Sequence, residues 1–208
     1  IHDNQSLSYG ILSLAKSMPV TATIHHPMTV DRKLAIEDAP NLYQKFKAAR
    51  WYSFIGMQKK VARQLASIIT VSDSSKDDIS NAYQIPKERF TTIPIGIDTD
   101  NFYPLDNVKK DPDRLIVTNS ADTPLKGLAY LLHAVKEILP LRPVSLTVIG
   151  SPKKKGRIEA LVKQLELGRH IRFTGRIDHE QFVREYAQAS IAVVPSLYEG
   201  FGLPVGEA

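Results

Sequence analysis

The 208-residue chain is long enough for one large domain or two small ones, and its 43% apolar and 24% charged residues are an ordinary globular balance. It has no cysteine, which excludes disulfides, thiol nucleophiles and thiolate metal sites and fits a cytoplasmic setting; no apolar run reaches the roughly 20 residues of a membrane-spanning helix. A formal charge of +5 and a pI of about 9.3 leave open a solvated basic surface, an anionic ligand, an anionic membrane or nucleic acid.

Ile1-His2-Asp3-Asn4 reads as the exit of a strand whose body is absent. Val20–Ile24 is the next strand and runs into His25-His26-Pro27. Residues 41–66 have the composition of one long helix. Ser67–Val71 is a strand, with Ser72 or Asp73 placed to cap the helix after it. Phe90–Pro94 is another strand, and Gly96 with Asp98 forms a turn. The polar stretch Asp106–Asp113 sets the boundary near residue 104, giving domains of 1–103 and 104–208.

The second half alternates more regularly. Arg114–Asn119 is a buried strand, and Leu128, Leu131, Leu132, Val135 and Ile138 then fall at helical spacing. Val144–Gly150 is a strand, followed by a helix marked by Ile158, Leu161, Val162 and Leu165 and stopped by Gly168. His170–Thr174 is a third strand, and Asp178 with Gln181 opens the next helix. Ser190–Pro195 is a fourth strand, and Pro204 suits the first position of a final helix. This alternation predicts a parallel sheet with helices on both faces. Ligands bind such sheets beyond the carboxyl ends of the strands, so the loops 120–127, 151–156, 175–178 and 196–203 are the places to look. The chain stops at Ala208, in the first turn of a helix, and this with the N-terminal Ile1 predicts a fragment.

The most specific string is Pro195–Ala208, in which Glu199 and Glu207 stand eight positions apart across a glycine-rich loop and a helix start. Glycines let backbone N–H groups approach a ligand closely, a helix N-terminus favours phosphate, and carboxylates accept hydrogen bonds from sugar hydroxyls. A plain strand-to-helix turn with a dipole-complementing glutamate is the bland alternative.

The string resembles the E-x7-E signature of the retaining glycosyltransferases of family 4, whose fold is GT-B. Further pieces resemble that family in the same order: His2-Asp3-Asn4, Thr23-Ile-His25, Ile69-Thr-Val-Ser72, Ile93-Pro-Ile-Gly-Ile-Asp98 with Phe102 and Pro104, Lys126-Gly127, Ile149-Gly150 and Phe173-Thr-Gly175. The resemblance implies an α/β GT-B protein of two Rossmann-like domains: an incomplete N-terminal acceptor-side domain and a truncated C-terminal domain that binds a nucleotide diphosphate sugar. It implies transfer of the sugar, with retained configuration, to an acceptor hydroxyl on a saccharide or lipid-linked molecule. Lys126 would neutralise charge growing on the diphosphate, beside Gly127. Glu199 would lie against the sugar, and Glu207 would hold the ribose. The backbone at Phe201, Gly202 and Leu203 would touch sugar and phosphates, that at Ile177 would read the base, and His25 would close over the sugar. It implies neither a cofactor nor a metal at the donor phosphates. An epimerase or another enzyme on the same fold, or a non-catalytic binder of donor or protein partner, are the alternatives.

Two features depart from the family pattern. Ser120 and Ala121 stand where an arginine is usual, and Asp122 adds negative charge beside the expected diphosphate, either to bind a hydroxyl or to cap the following helix. His25 and His26 are adjacent on a strand end and point apart, which disfavours a shared metal. His133 falls within a helix and reads as surface. No acidic residue occurs between Asp38 and Asp73, a span holding Lys45, Lys47, Arg50, Lys59, Lys60 and Arg63 among Phe46, Trp51, Tyr52 and Phe54. Such a stretch suits a solvated face or peripheral contact with anionic membrane. No nucleic-acid recognition module is visible.

Overall fold

In the computed structural model, which describes residues 1–119 and 122–208, the chain divides into two α/β units. The first comprises Ile1–Gly96 with Glu199–Phe201, and the second Ile97–Tyr198 with Gly202–Ala208.

The first unit runs β1 (His2–Asn4), α1 (Tyr9–Leu14), β2 (Thr21–Thr23), α2 (Thr29–Glu37), α3 (Leu42–Trp51), α4 (Ile55–Ala62), β3 (Ser67–Thr70), α5 (Asp73–Tyr83) and β4 (Phe90–Thr92). Its sheet is parallel with the strands in chain order, β1-β2-β3-β4. Ala22, Ile24 and Ile68 from the sheet meet Val61, Leu65, Ile79 and Tyr83, all buried, and full burial of each large apolar side chain contributes about 1.5–3 kcal/mol. The single helix expected over 41–66 is broken by a tight 3-10 turn at Tyr52–Phe54. The reason lies in packing: α3 buries none of its side chains, whereas α4 buries Ile55, Gln58, Val61 and Ala62 against the sheet. The two segments answer to different surroundings, and the α-helical ladder is interrupted between them. Of the two expected caps, Ser72 is the one used: its Oγ accepts from Ser75 N–H at 3.0 Å.

The second unit runs β5 (Asp111–Thr118), α6 (Leu128–Ile138), β6 (Ser145–Ile149), α7 (Arg157–Gln164), β7 (Ile171–Phe173), α8 (His179–Gln188), β8 (Ala189–Ala192) and α9 (Leu203–Glu207). Its strands are also parallel, in the order β7-β6-β5-β8. The order reverses between β5 and β8, and at such a switch point the two following loops leave in opposite directions and open a crevice. Leu128, Leu131, Leu132 and Val135 of α6 pack on Val117, Leu146 and Val148, which is the helical stripe read from the sequence.

Helix α7 does not end at Gly168. Glu166, at φ 58°, takes the left-handed position. Glu166 N–H donates to Lys163 O at 3.1 Å and Leu167 N–H to Val162 O at 3.0 Å, the paired bonds of a Schellman stop. Burial of Leu167 offsets the cost of about 1 kcal/mol for a non-glycine residue there. At the last helix Leu203, not Pro204, is the first helical residue, after Gly202 at φ 83°.

Candidate functional site

Lys126 closes a short 3-10 turn, Pro124–Lys126, and Gly127 follows at φ 64° as the N-cap of α6. This turn is fixed from two sides. Asn119 Nδ2 donates to Lys126 O at 2.8 Å, and Leu197 N–H donates to Leu125 O at 2.8 Å. The turn after β5 and the start of the loop after β8 are therefore one construction at the switch point. The approach is so close that a Cβ on Gly127 would stand 1.9 Å from Pro195 O. Gly127→Ala is expected to destabilise the second unit by about 2–5 kcal/mol, from left-handed strain plus forced displacement of backbone. Urea unfolding of the variant checks this, and a loss under about 0.5 kcal/mol would contradict it.

Asp122 does not cap the helix that follows it. Its Oδ2 accepts from Lys153 N–H at 2.6 Å, and its Oδ1 receives Ile158 N–H more distantly, at 3.4 Å. The carboxylate thus ties the turn before Lys126 to the loop after β6 and to the first turn of α7. The pairing of β5 with β6 lays these loops side by side, which local sequence does not reveal. Ser120 and Ala121 lie outside the described residues.

Ile177 lines an open cleft of about 400 Å³ with Ile149, Gly150, Ser151, Gly175, Arg176 and Phe182, at the carboxyl ends of β6 and β7. Gly150 is at φ 143°, and a side chain there would meet Asn119 O at 2.1 Å, so the strand exits are held close. Glu207 lines a second groove of about 210 Å³ with Phe102, Tyr103, Val183 and Tyr186. The two depressions share an aromatic wall, because Phe182 and Tyr186 stack with centroids 4.7 Å apart. Tyr186 OH shares a hydrogen bond with Thr118 Oγ1 at 2.8 Å. Burial, together with the charge of Glu207, raises the Tyr186 pKa.

The same helix, α8, also carries a partly buried charge cluster that the sequence reading missed. Glu185 of α8, 7% exposed, accepts from Arg114 of β5 and from Arg172 of β7. Arg114 also donates to Gln188 Oε1 at 2.6 Å and to Thr147 Oγ1 at 3.2 Å. These three charged residues are far apart in sequence, and only the amphipathic phase of α8, with Glu185 three positions after Phe182, could have hinted that this glutamate faces inward.

In the first unit, His25 follows β2 and its imidazole is held by Asn4, with Nε2 2.8 Å from Asn4 Oδ1. Burial, reinforced by neighbouring His26, lowers its pKa, which favours the neutral ring. Gln5 holds the peptide: its Oε1 accepts from His25 N–H at 2.7 Å and its Nε2 donates to His26 O at 3.2 Å. Buried Gln58 donates to Gln5 O at 3.0 Å, and Tyr83 OH donates to Gln58 Oε1 at 3.2 Å. The holding loop is strained, with Gln5 at φ 58° and Leu7 at φ 48°. Buried Asp3 over-determines it by accepting from Ser6 Oγ and Leu7 N–H.

Glu199, Gly200 and Phe201 belong to this same unit. Ser72 Oγ and Ser75 Oγ lie 2.6 and 2.9 Å from Gly200 O, and Ser75 Oγ is also 2.9 Å from His25 O. The single hydroxyl hydrogen of Ser75 serves two acceptors. A Cβ on Gly200 would meet His25 O at 2.5 Å, so this position needs glycine. The first unit therefore gathers His25 with Glu199 and Phe201. The second holds Lys126 and Gly127 at the switch point, Gly202 and Leu203 at the start of α9, and Ile177 and Glu207 on either side of the aromatic wall.

Known proteins match the chain along its whole length. Residues 101–208 match the family described as glycosyl transferases group 1, and residues 1–101 match glycosyltransferase family 4. The MMP alpha-(1->4)-mannosyltransferase of Mycolicibacterium hassiacum is 38% identical over 100% of this chain and 50% of its own length. D-inositol 3-phosphate glycosyltransferase 2 of Catenulispora acidiphila is 28% identical over 100% of the chain and 52% of its own. The chain spans about half the length of these relatives. Among solved structures, sucrose-phosphate synthase from Thermosynechococcus elongatus superposes with a TM-score of 0.74 at 25% identity, covering 100% of this chain and 52% of that one. A glycosyltransferase from Rickettsia africae shares the fold at a TM-score of 0.59 and 19% identity, over 95% of this chain and 56% of that one.

Proposed function

Since the chain belongs to the group 1 glycosyl transferases, with family 4 matched over its first half, we propose that it forms part of an enzyme that moves a sugar from a nucleotide diphosphate sugar to an acceptor hydroxyl with retained anomeric configuration. The observation that carries this reading is the locked pair of turns at the switch point, where Leu197 N–H binds Leu125 O and Gly127 fits under Pro195. That lock sets the Lys126 turn beside the root of the loop that leads to Glu199. In this reading the base lies against Ile177 in the 400 Å³ cleft, and Glu207 takes the ribose hydroxyls. Lys126 and Gly127 face the diphosphate, and the backbone at Gly202 and Leu203 completes its surroundings. Glu199 and Phe201 face the sugar, and His25 covers it from the acceptor side. The likeness to a mannosyltransferase supports a mannosyl donor, and a saccharide or lipid-linked hydroxyl is the acceptor class.

Chemistry needs a cation where charge grows on the leaving diphosphate, and a preorganised one is worth more than a mobile one. We assign that role to Lys126, which sits on a turn whose backbone is anchored. A neutral His25 suits a ring that must accept or relay a hydrogen bond near the attacking hydroxyl.

Donor binding is tested by thermal shift with GDP-mannose, UDP-glucose and ADP-glucose. At a hundred times Kd, a true donor stabilises by about 2.7 kcal/mol, a rise of roughly 5–10 °C for a protein of this size. A flat response to every nucleotide sugar would sink the reading. Product configuration, read by NMR on the full-length enzyme, tests retention separately, and an inverted product would reject that part alone.

A further inference from the structure

One helix of the first unit has no role in the proposed reaction and no burial to explain its composition. Helix α3 exposes Leu42 at 84%, Tyr43 at 74%, Phe46 at 67% and Trp51 at 73%, and none of its residues is buried. At 3.6 residues per turn, Leu42, Phe46 and Tyr43 fall within about 100° of arc. Lys45 and Lys47 bracket that stripe, Arg50 lies within its arc one turn after Phe46, where its long stem lets the charged head reach the phosphate level, and Trp51 falls beyond Lys47. The run from 39 to 72 contains no acidic residue. On neighbouring α2, Asp31 is engaged by His26 at 2.9 Å, and Glu37 lies 4.0 Å from Lys33. The helix is also well formed, with Asn41 Oδ1 accepting from Gln44 N–H at 2.9 Å.

We propose that α3 docks the protein on an anionic lipid bilayer, with Leu42, Tyr43 and Phe46 entering the headgroup–acyl boundary and Lys45, Lys47 and Arg50 pairing with lipid phosphates. Charge and apolarity together select this occupant. A hydrophilic polyanion satisfies the bases but leaves three large apolar side chains in water. A purely apolar groove covers those side chains but leaves three cations unmatched. A bilayer surface offers both in the geometry of a helix lying in the plane, aromatic face down and basic flanks at the phosphate level. No helix among the described residues is long and apolar enough to cross a membrane, so the contact is peripheral. This inference stands independently of the proposed transfer reaction.

The test is co-sedimentation of the protein with phosphatidylcholine vesicles, with and without phosphatidylglycerol. Binding is expected only to the anionic vesicles, and it should be lost at about 0.5 M salt, where the screening length falls to roughly 4 Å. Near such a surface each basic residue is worth about fivefold, so Lys45→Gln/Lys47→Gln/Arg50→Gln should weaken partitioning about a hundredfold. Leu42→Ser/Phe46→Ser should weaken it at least about tenfold. Because the helix buries no side chain, both variants should keep the parent melting temperature, and loss of binding in a folded variant supports the proposal. Equal binding to neutral vesicles, or no binding to anionic ones, would overturn it. So would a protein dimer abolished by Leu42→Ser/Phe46→Ser, since a second copy would then be the occupant.

Discussion

Lys126→Ala in the full-length protein is expected to lower kcat by about 10²–10³-fold, with a smaller effect on KM for the donor. The asymmetry follows from when the charge appears. In the ground state the diphosphate is shared between sugar and nucleotide, while in the transition state the bond to the sugar is breaking and negative charge accumulates on the bridging oxygen. A cation fixed beside that oxygen is worth more as the bond breaks, and such differential binding raises kcat. Two contacts that hold the turn use its backbone: Asn119 Nδ2 to Lys126 O and Leu197 N–H to Leu125 O. The alanine variant should therefore melt within about 1–2 °C of the parent. A kcat within threefold of the parent would remove Lys126 from the chemistry. A fall in melting temperature matching the fall in rate would make its role structural.

Glu185→Ala is expected to destabilise the protein by about 3–5 kcal/mol, the largest stability effect among the changes considered. The carboxylate is 7% exposed and accepts from both Arg114 and Arg172. Removing it leaves the Arg114 guanidinium, whose side chain is only 14% exposed, without its counter-charge in a place where water cannot replace it. The consequence reaches the candidate site, because the same helix carries Phe182 and Tyr186, the wall between the Ile177 cleft and the Glu207 groove. Adding Arg114→Ala should recover part of the loss, since the stranded charge is then gone. A double-mutant cycle by urea unfolding should return a coupling of at least about 1 kcal/mol. Simple additivity of the two substitutions would show that the pair is not a functional unit.

The two expectations differ in where they come from. Lys126 was legible in the sequence, because a Lys-Gly turn after a buried strand is a local pattern and its family resemblance is ordered with the other motifs. Glu185 was not, because its partners lie on β5 and β7, 71 and 13 positions away, and only its helical phase relative to Phe182 hints that it faces inward.

By itself the sequence determined what depends on neighbours along the chain: the alternation of strands and helices, the apolar stripe of α6, the cap at Asp178, and the glycine-rich segment from Glu199 to Glu207. Hydrophobic period and capping act over three or four residues, so these features are written locally. Tertiary structure alone decided the rest. The long helical stretch breaks at Tyr52–Phe54 because α4 packs on a sheet and α3 does not. Glu166, rather than Gly168, stops α7 because Leu167 needs to enter the core. Asp122 turns to Lys153 because β5 pairs with β6. Gln5 reaches His25 and His26 because β1 lies beside β2. In the last two cases strand pairing brings together groups distant in sequence, and a polar group takes the partner that geometry offers.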